Sequence, residues 1–497
     1  MKKILSVILL LAVIAALCTT PVSAITDWEA DFYYGAGAPY YLNYPTKAQI
    51  LAKIRELDID FSYEDQYAED YSLDAPNYVP GSLMPETEER ALSVLNLYRY
   101  VAGLPADVEV KNDYSQLAQA AMLVNAANNK LTHYPEKPEG MSDELYELAR
   151  QGASQSNIGW NLGNLAYSFQ NGWMDDSDAN NIDTMGHRRW VLNPAMKYTG
   201  FGRVGAYTAM YSFDKSRSGQ FAGDYVAWPA PNTPLEMFRG SAFSFTLGRD
   251  YDAPVAQKIN ITVTSETLGK TWTINSRNPE KGFYVETNGY GINKCVIFKA
   301  TDFIADDTLT VHIDGLTKNG VAAPIDYTAN LFSLSEIEPD SKTIMIRPRW
   351  GADFNVTASS MLTKSAPEID WKTADGTVAG IYLYGEDNHR IYYGVGEGRT
   401  TITLSTPGAS VDVDVIVKFS RFLLGDADGD EEITIVDATS IQRHTAEMEQ
   451  PTFCDYVSDV DSDDEIDISD ATAIQRYMAD METPYPIGVS QLSTFTY

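Results

Sequence analysis

The spacing of hydrophobic positions changes along the chain. Between residues 86 and 131 apolar side chains recur every three or four residues, which predicts two amphipathic helices. The apolar face of the first helix consists of Ala91, Val94, Leu95, Tyr98, Val101 and Ala102, and Gly103 suits its end. The second helix, at about 114–131, has Leu117, Ala120, Ala121, Val124 and Leu131 on its apolar face. Helical spacing therefore predicts an α+β domain at 86–225.

From about residue 235 the apolar positions alternate with polar ones. Segments such as INITVTS and TLTVHIDG, with turn residues between them, predict strands. They divide into two β-sandwich units of immunoglobulin-like size, at 235–337 and 338–419. The phrase GVGEGRTTITLS in the second unit resembles the closing strands of bacterial immunoglobulin-like modules. We interpret both units as spacers or carriers, because nothing in them clusters like a catalytic site.

The N-terminus has the pattern of a secretory signal peptide over residues 1–24. Lys2 and Lys3 precede an apolar run at 4–17, and Val22-Ser23-Ala24 is a small-residue cleavage site. The apolar run is short for a membrane span, so we expect cleavage and a secreted, extracellular protein. Residues 25–85 are rich in aromatic side chains and contain one predicted helix. We expect them to form a leader that packs on the next domain.

Charge and cysteine content restrict the classes of partner. The 497 residues carry a formal net charge of −32, which argues against nucleic acid and anionic membrane surfaces. Cys295 and Cys454 are the two cysteines beyond the signal sequence, and they fall in different predicted domains. No disulfide framework and no membrane span are expected, so stability must come from hydrophobic cores and bound metal.

The region 420–484 contains one acidic segment twice, 33 residues apart: DADGDEEITIVDATSIQRHTAEM and DVDSDDEIDISDATAIQRYMADM. Oxygen-bearing residues occupy positions 1, 3, 5, 7, 9 and 12 of each copy, the positions from which an EF-hand loop binds Ca²⁺. They are Asp426, Asp428, Asp430, Glu432, Thr434 and Asp437 in loop 1, and Asp459, Asp461, Asp463, Glu465, Asp467 and Asp470 in loop 2. An acidic chain can produce such a loop by composition alone. The spacing, the duplication and the apolar Ile433 and Ile466 at position 8 favour two Ca²⁺ sites.

Position 6 of each loop departs from the usual pattern. It is normally Gly because the backbone turns sharply there, but Glu431 and Asp464 occupy it here. Asp accepts a positive φ more readily than Glu does. We therefore expect loop 1 to bind Ca²⁺ more weakly than loop 2.

The two loop-helix units lack an entering helix and resemble the type I dockerin modules of bacterial fibre-degrading complexes, over about 421–484. The resemblance implies a small α-helical module that folds with Ca²⁺ and docks onto a cohesin module of a scaffold protein. By the same resemblance, the cohesin contacts are Ile435, Val436, Gln442 and Arg443, or Ile468, Ser469, Gln475 and Arg476. Residues 485–497 form a tail.

Two of the five histidines lie in distinctive phrases of the 86–225 domain. His133 lies in NNKLTHYPEKPEGMS and His187 in MGHRRWVLNPAMKYTGFG, with SNIGWNLGN and NGWMDD between them. These phrases resemble the CAP superfamily (cysteine-rich secretory, antigen 5 and pathogenesis-related proteins), in its cysteine-poor bacterial branch. The resemblance implies an α-β-α sandwich whose central cleft holds two His and two Glu that can bind a divalent metal.

The family's residues carry over only in part. His133 and His187 match the two histidines, but Trp160 stands where the first Glu is usual, between Gly and Asn. The second Glu lies three residues after a Trp, and Asp176 follows Trp173 at that spacing. Two imidazoles and one carboxylate can still bind Zn²⁺, or the histidines are hydrogen-bonded polar groups without metal. Loss of the first Glu removes the best general base, which favours a structural or ligand-binding cleft.

Two arginines follow His187 directly. Arg188 and Arg189 either grip a carboxylate or phosphate beside the cleft or form ion pairs with nearby acids such as Asp175 and Asp183. We favour the ion pairs, because the surrounding sequence is rich in Asp.

The overall prediction is a multidomain α+β protein with two competing functions. In the first, it is a secreted, cellulosome-type component whose CAP domain is a non-catalytic accessory module in plant polysaccharide degradation, binding carbohydrate or a cell-surface ligand. In the second, it is a hydrolase of polysaccharides, or a metal- or His-dependent peptidase, that uses the His133 and His187 cleft. The sequence has no assignable glycosidase carboxylate pair and no Gly-x-Ser-x-Gly motif, so we favour the first.

Overall fold

The computed structural model describes most of the chain from residue 38 onward. The described residues are 38–59, 61–278, 282–301, 306–347, 351–362, 367–383, 390–406, 409–418, 421–448, 450 and 452–491. The predicted signal peptide lies outside them. The chain divides into two compact units with the boundary between Phe332 and Ser333. No helix within these ranges is long and apolar enough to cross a membrane.

Nine α-helices are present in the described residues, and a π-helical turn (Phe169–Trp173) continues the fifth. They are α1 (Lys47–Leu57), α2 (Pro85–Val101), α3 (Asn112–Ala127), α4 (Asp143–Gln155), α5 (Leu165–Ser168), α6 (Gly186–Val191), α7 (Leu235–Phe238), α8 (Ile435–Thr445) and α9 (Ile468–Met478). The two helices predicted from apolar spacing are α2 and α3. The predicted end of α3 is wrong, because Asn129 has a φ of 46° and the chain leaves the helix after Ala127. Leu131, expected on the buried face, is consequently exposed.

The strands of the first unit precede and follow these helices. They are β1 (Tyr67–Glu69), β2 (Ser82–Leu83), β3 (Glu109–Val110), β4 (Ser156–Trp160), β5 (Tyr198–Thr199), β6 (Phe201–Val204), β7 (Tyr207–Tyr211), β8 (Tyr225–Trp228), β9 (Asn232–Pro234), β10 (Phe243–Leu247), β11 (Asn260–Ser265), β12 (Lys270–Asn275), β13 (Phe283–Glu286), β14 (Cys295–Phe298), β15 (Asp307–Asp314), β16 (Thr317–Lys318), β17 (Val321–Ala322) and β18 (Ile325–Phe332).

The helical domain is a three-layer structure. Its central sheet is antiparallel, in the order β4-β7-β6. Helices α3 and α4 cover one face, where Ile158, Val204 and Ala209 join the core that these helices form. On the other face Phe169 of the π-helical turn packs against Phe201 of β6 and Tyr98 of α2. The layer order is the α-β-α arrangement that the sequence resemblance implies.

Close packing between layers depends on small residues. A side chain at Gly202 in β6 would come within 2.3 Å of the α3 backbone at Ala118. At Gly152 in α4, a Cβ would lie 1.9 Å from the carbonyl oxygen of Leu117. Glycine at these two points lets α3 lie directly against both the sheet and α4.

The leader packs on this domain. The backbone amide of Asn43 donates to the carbonyl oxygen of Gly103. The side-chain amide of Asn164 donates to the carbonyl oxygens of Phe61 and Tyr63, at 2.6 and 2.7 Å. These contacts anchor residues 38–83 to the helical layers.

The first β-rich region contains two main sheets, in the orders β13-β14-β10-β8 and β12-β11-β15-β18-β9. Strands β15 and β18 alternate buried and exposed residues, as the period-2 pattern predicts. The region begins at Tyr225 with β8, about ten residues before the predicted start. It also belongs to the same compact unit as the helical domain. The first strand, β8, is short and its burial does not alternate, so the period-2 pattern does not mark it.

The second unit begins with another β-rich region. Its strands are β19 (Ser335–Pro339), β20 (Thr343–Ile346), β21 (Gly351–Phe354), β22 (Val356–Ser360), β23 (Asp370–Thr373), β24 (Ala379–Leu383), β25 (Arg390–Gly394), β26 (Gly398–Thr406) and β27 (Ala409–Val417). They form sheets in the orders β20-β27-β26-β23, β21-β25-β24 and β19-β22. Trp371 is buried in the core of this region.

The last module of the second unit contains α8 and α9, and a fixed joint connects it to the preceding strands. Ile416 of β27 is buried together with Phe422 and Val457. Arg399 of β26 donates to Asp414 on the neighbouring strand and to both carboxylate oxygens of Asp455, at 2.9 Å. We call this cluster and its ion pairs the joint.

Candidate functional sites

Each acidic loop gathers three carboxylates around one point. In loop 1, oxygens of Asp426, Asp428 and Asp430 lie within 4.8 Å of one another, and in loop 2 those of Asp459, Asp461 and Asp463 do the same. Within the described ranges, no other group of three or more metal-ligating side chains lies so close together. Hard carboxylate oxygens in this arrangement suit a divalent cation such as Ca²⁺.

The loops contain buried oxygens that lack a protein partner. Asp426 Oδ1 and Asp461 Oδ1 are buried, and neither accepts a hydrogen bond from the described residues. Burial raises the pKa of Asp426. Burial also raises the pKa of Asp437 to about 6, and the charges of Asp428 and Asp426 add to the effect. A buried, unpaired carboxylate is costly unless a cation neutralises it, so the residues fit a bound metal ion.

The acid at position 12 ties the two ends of each loop together. Asp437 accepts hydrogen bonds from the backbone amides of Asp428 and Thr434, at 3.2 and 2.7 Å. Asp470 accepts from those of Val460, at 2.6 Å, and Asp467, at 2.9 Å. These bonds hold the loop closed around the carboxylate group.

The residue at position 9 also begins the helix that follows. Thr434 Oγ1 accepts from the amide of Val436, at 3.1 Å, and Asp467 Oδ1 accepts from that of Ser469, at 2.6 Å. Each side chain is therefore an N-cap of α8 or α9. Loop closure and helix initiation depend on the same few residues.

The sharp turn expected at position 6 is confirmed, since Glu431 and Asp464 have φ values of 72° and 70°. A second left-handed residue occurs at position 4, where loop 1 has Gly429 and loop 2 has Ser462, with a φ of 60°. Backbone strain thus disfavours Glu431 in loop 1 and Ser462 in loop 2. The prediction that loop 1 binds more weakly rests on Glu431, and Ser462 opposes it.

The two loop-helix units share a core that repeats with the sequence. Ala438 and Ile441 of α8 are buried with their counterparts Ala471 and Ile474 of α9. Ile433 and Ile466, the apolar residues at position 8, pack against this core. The remaining surface of the helices exposes apolar side chains.

The predicted docking residues lie on that surface. Ile435 and Val436 are consecutive and are 55 and 51 % exposed, and Ile468 in the second copy is 56 % exposed. Of the other predicted contacts, Gln442 is half-buried. The exposed ones are Arg443, Ser469, Gln475 and Arg476.

The structure brings His133 and His187 together in the helical domain. Their ring centroids are 6.4 Å apart, with an angle of 27° between the ring planes. His133 Nδ1 lies 2.7 Å from the carbonyl oxygen of Ala153, near the end of α4. His187 Nδ1 lies 2.8 Å from Asp176 Oδ1. Because each Nδ1 faces an oxygen acceptor, the lone pair of each neutral ring lies on Nε2.

Asp176 lies behind His187. It is 2 % exposed, and its Oδ2 accepts from the backbone amide of Arg188 at 3.2 Å. Both oxygens therefore face α6, so Asp176 positions the His187 ring in the way that carboxylates orient metal-binding histidines. Within the described residues the histidine pair belongs to no group of three close metal-ligating side chains.

The two rings differ in their affinity for a proton. Burial lowers the pKa of His133, and the hydrogen bond with Ala153 only partly opposes this. Burial alone would lower the pKa of His187 as well, but the charge and hydrogen bond of Asp176 outweigh it and raise the pKa. The pair is thus one neutral ring beside one that protonates more readily.

No carboxylate replaces the missing family Glu at its expected place. Trp160 occupies that position at the end of β4 and is 54 % exposed. Asn157, on the same strand, donates its side-chain amide to the carbonyl oxygen of His187 at 2.9 Å. Asn157 thus holds the start of α6 in place. The sequence alone could not single it out, because the segment contains several asparagines.

The favoured interpretation of Arg188 and Arg189 as ion-pairing residues is wrong. Neither guanidinium forms an ion pair with the described residues, and both donate mainly to oxygens of the first β-rich region. Arg188, fully buried, bonds the carbonyl oxygens of Met174, Asp175 and Ala242 and the hydroxyls of Ser241 and Ser244. Arg189 donates to the carbonyl oxygens of Thr184, Asn288 and Ile292. The arginines join the helical domain to the strands rather than bind a ligand.

Comparison with known proteins identifies the helical domain. Residues 92–213 match the family model described as CAP: Cysteine-rich secretory protein family. The chain therefore contains a CAP domain, inside the predicted 86–225 limits. No curated protein matches the chain.

Several solved structures share partial similarity with the chain. The S-layer protein rSbsC(31-844) is 19 % identical over 36 % of this chain and 23 % of its own, with a TM-score of 0.17. The Yersinia pseudotuberculosis adhesin InvE is 16 % identical over 39 % of this chain and 58 % of its own, with a TM-score of 0.19. The chain thus spans less than a quarter of the first of these proteins. TM-scores this low do not define a shared fold.

Proposed function

We propose that this CAP-domain protein is exported and docks, through a Ca²⁺-loaded dockerin-type module at its C-terminus, onto a cohesin module of a scaffold protein. The observation that carries the proposal is the repeated site: two carboxylate triads, each with one buried oxygen that lacks a protein donor. The strong negative charge of the chain, −32, adds to the attraction for Ca²⁺.

Calcium would act by ordering the docking helices. The ligands would be the side chains at positions 1, 3, 5 and 12, with the backbone carbonyl at position 7. Because positions 9 and 12 also cap α8 and α9, neutralising the triads would favour the helix starts at Ile435 and Ile468. The exposed apolar residues lie at those starts, so metal binding and display of the docking surface are coupled.

The docking surface occurs in two versions. Ile435 and Val436 at the start of α8 correspond to Ile468 and Ser469 at the start of α9. The shared Ile supports recognition of one partner through either version. The replacement of Val436 by Ser469 makes the second version less apolar, so we expect the first to bind more tightly.

Charge substitutions on both versions test the docking function. We expect Ile435→Asp with Val436→Asp, or Ile468→Asp, to weaken cohesin binding by up to about tenfold, because the other version remains. All three changes together should weaken it at least about 100-fold, since each buried charge opposes the contact. Titration calorimetry in Ca²⁺ measures the affinity.

A matched control is available in the first unit. Val321, in a hairpin there, is 69 % exposed, so Val321→Asp should leave cohesin binding unchanged. Helical circular dichroism should be the same in all variants, because the altered side chains are exposed. Tight binding by the triple variant would contradict the proposed surface.

The CAP domain, in this proposal, is a non-catalytic accessory module in plant polysaccharide degradation. The histidine pair lacks the family Glu that would accept a proton, and Asp176 is engaged behind His187. Trp160 and Tyr134 expose aromatic rings on the same domain, and such rings stack on sugars. A carbohydrate or cell-surface glycan is therefore the proposed ligand class.

A metal-dependent hydrolase is the second candidate, and one observation favours it. His133 and His187 are the residues that would hold a Zn²⁺ ion: their ring centroids lie 6.4 Å apart, and Asp176 hydrogen-bonds His187 as carboxylates do in zinc sites. The ion would supply Lewis-acid chemistry. The chain would contribute the ring positions and the proton held between His187 and Asp176.

Hydrolysis assays separate the two candidates. We expect no turnover of plant glycans or peptides with or without Zn²⁺, and no difference between the native chain and His187→Ala. Asp176→Asn is the milder companion variant, because it removes the charge and keeps a side chain of the same size behind the ring. Turnover that is lost in His187→Ala and reduced in Asp176→Asn would establish the hydrolase instead.

A further inference from the structure

A cavity of about 360 Å³ lies where the CAP domain meets the first β-rich region. The CAP side supplies the turn at 193–195 and the loop at 217–221, and the β side supplies Gly248, Arg249 and residues 292–294. His133, His187 and Asp176 do not line it. Small-molecule pockets begin at about 300 Å³, so the volume suits one compact ligand.

Buried arginines hold two walls of the cavity in place. Arg99 donates to the carbonyl oxygens of Val191, at 3.1 Å, and Asn193, at 2.9 Å. Arg189 donates to the carbonyl oxygen of Ile292, at 2.6 Å. The two walls meet at Gly291, where a Cβ would lie 2.8 Å from the Asn193 side chain. The cavity is therefore largely pre-formed.

The charged side chains that line the cavity are all cationic. Arg217, Arg249 and Lys294 line it, and no acidic side chain does, although the chain is strongly acidic. Arg217 is held by Asp107, at 2.6 Å, and by the carbonyl oxygen of Met196. The side chain of Arg249 is 62 % exposed, and its nearest carboxylate is that of Asp250, at 3.6 Å. Arg249 can therefore turn toward an anion at the mouth.

Lys294 has donor capacity beyond its protein contacts. Its ammonium donates to the carbonyl oxygens of Arg249, at 3.2 Å, and Tyr251. An ammonium has three protons, so one remains for a ligand. The two hydrogen bonds to carbonyl oxygens hold the ammonium of Lys294 in place, and its third proton can bind an anionic group.

The rest of the lining is mostly apolar. Phe221, Pro194, Ala195 and Ile292 contribute to it. Phe221 is supported by Tyr40 of the leader, whose ring centroid is 5.8 Å away and whose hydroxyl donates to the carbonyl oxygen of Pro194. This surface suits a ring or a branched hydrocarbon group.

We propose that the cavity is a binding site for a small amphipathic anion, namely a carboxylate attached to an aromatic or branched aliphatic body. The carboxylate binds Arg249 and Lys294, and the body packs on Phe221 and Ile292. The site is independent of the docking surface and of the histidine pair.

Fluorescence titration of the mature full-length chain in Ca²⁺ tests the proposal. The probe is 8-anilinonaphthalene-1-sulfonate, an aromatic body with one anionic group, and the comparison is the uncharged N-phenyl-1-naphthylamine. We expect one site per chain for the anionic probe, at least about tenfold weaker binding of the neutral probe, and competition by phenylacetate but not by 2-phenylethanol.

Two variants and a control locate the site. Arg249→Gln should weaken the anionic probe about tenfold, and Ala195→Phe should block it by filling the cavity. Arg150→Gln, an exposed arginine on α4 paired with Glu147, should change nothing. Equal binding of the two probes, or native affinity in both Arg249→Gln and Ala195→Phe, would overturn the proposal.

Discussion

Removal of Ca²⁺ by a chelator is expected to unfold the C-terminal module, residues 421–491, and to leave the first unit folded. Each sensor-type site at a free Ca²⁺ concentration 1,000 times its Kd contributes about 4 kcal/mol. Two sites contribute about 8 kcal/mol, which is comparable with the whole stability of a small domain. Without the ions, each carboxylate triad opposes its own closure.

Hydrogen exchange of the full chain measures this effect. Amide protection in α8 and α9 should fall at least about 100-fold in chelator, whereas protection in α2 and α3 should be unchanged. Cohesin binding should disappear with it. Persistence of native protection in α8 and α9 after chelation would contradict the calcium proposal.

Single-loop variants give a matched pair for the same experiment. Asp426→Asn and Asp459→Asn remove the equivalent charge from loop 1 and loop 2, and each should abolish one site and leave the other measurable. Titration of Ca²⁺ into each variant then gives the two affinities separately. A tighter site in the chain that keeps loop 2 would support the expectation based on Glu431.

Loss of Arg188 is expected to be the most destabilising single change in the first unit. All five of its N–H groups have acceptors, three carbonyl oxygens and two serine hydroxyls, and the side chain is fully buried. Arg188→Met would leave these acceptors without their donor, at a cost of about 4 kcal/mol. Urea unfolding followed by tryptophan fluorescence measures the loss.

Two conservative changes distinguish geometry from charge. Arg188→Lys keeps the charge but has three protons for five acceptors, so we expect a loss of about 2 kcal/mol. Arg150→Lys, on the surface of α4, should shift stability by no more than about 0.5 kcal/mol. If Arg188→Lys were as stable as the native chain, the forked hydrogen bonding would not be what holds the strands to the CAP domain.

Local sequence patterns predicted the helices and the loop backbone better than they predicted which residues contact one another. The apolar faces of α2 and α3 follow directly from residue spacing, and the left-handed backbone at Glu431 and Asp464 follows from the known loop geometry. Asp176 could be placed beside His187 only through the family resemblance, since eleven residues separate them.

The acceptors of Arg188 could not be predicted. Three are backbone carbonyl oxygens, which exist at every residue, and the other two are hydroxyls of serines more than fifty residues away in the sequence. For the same reason, the hydrogen bonds between the CAP domain and the β-rich region that begins at Tyr225 leave little trace in the sequence. Arg188 and Arg189 contribute several of these contacts, among them those to the carbonyl oxygens of Ala242 and Ile292. Sequence spacing near each arginine instead suggested the abundant local acids.

If the last module docks as proposed, the joint has a mechanical consequence. A pulling force applied at α8 and α9 would reach β26 and β27 through the Arg399 ion pairs and the packed Ile416, Phe422 and Val457. The load would therefore be shared between the ion pairs and the apolar contact, instead of passing through the connecting backbone alone.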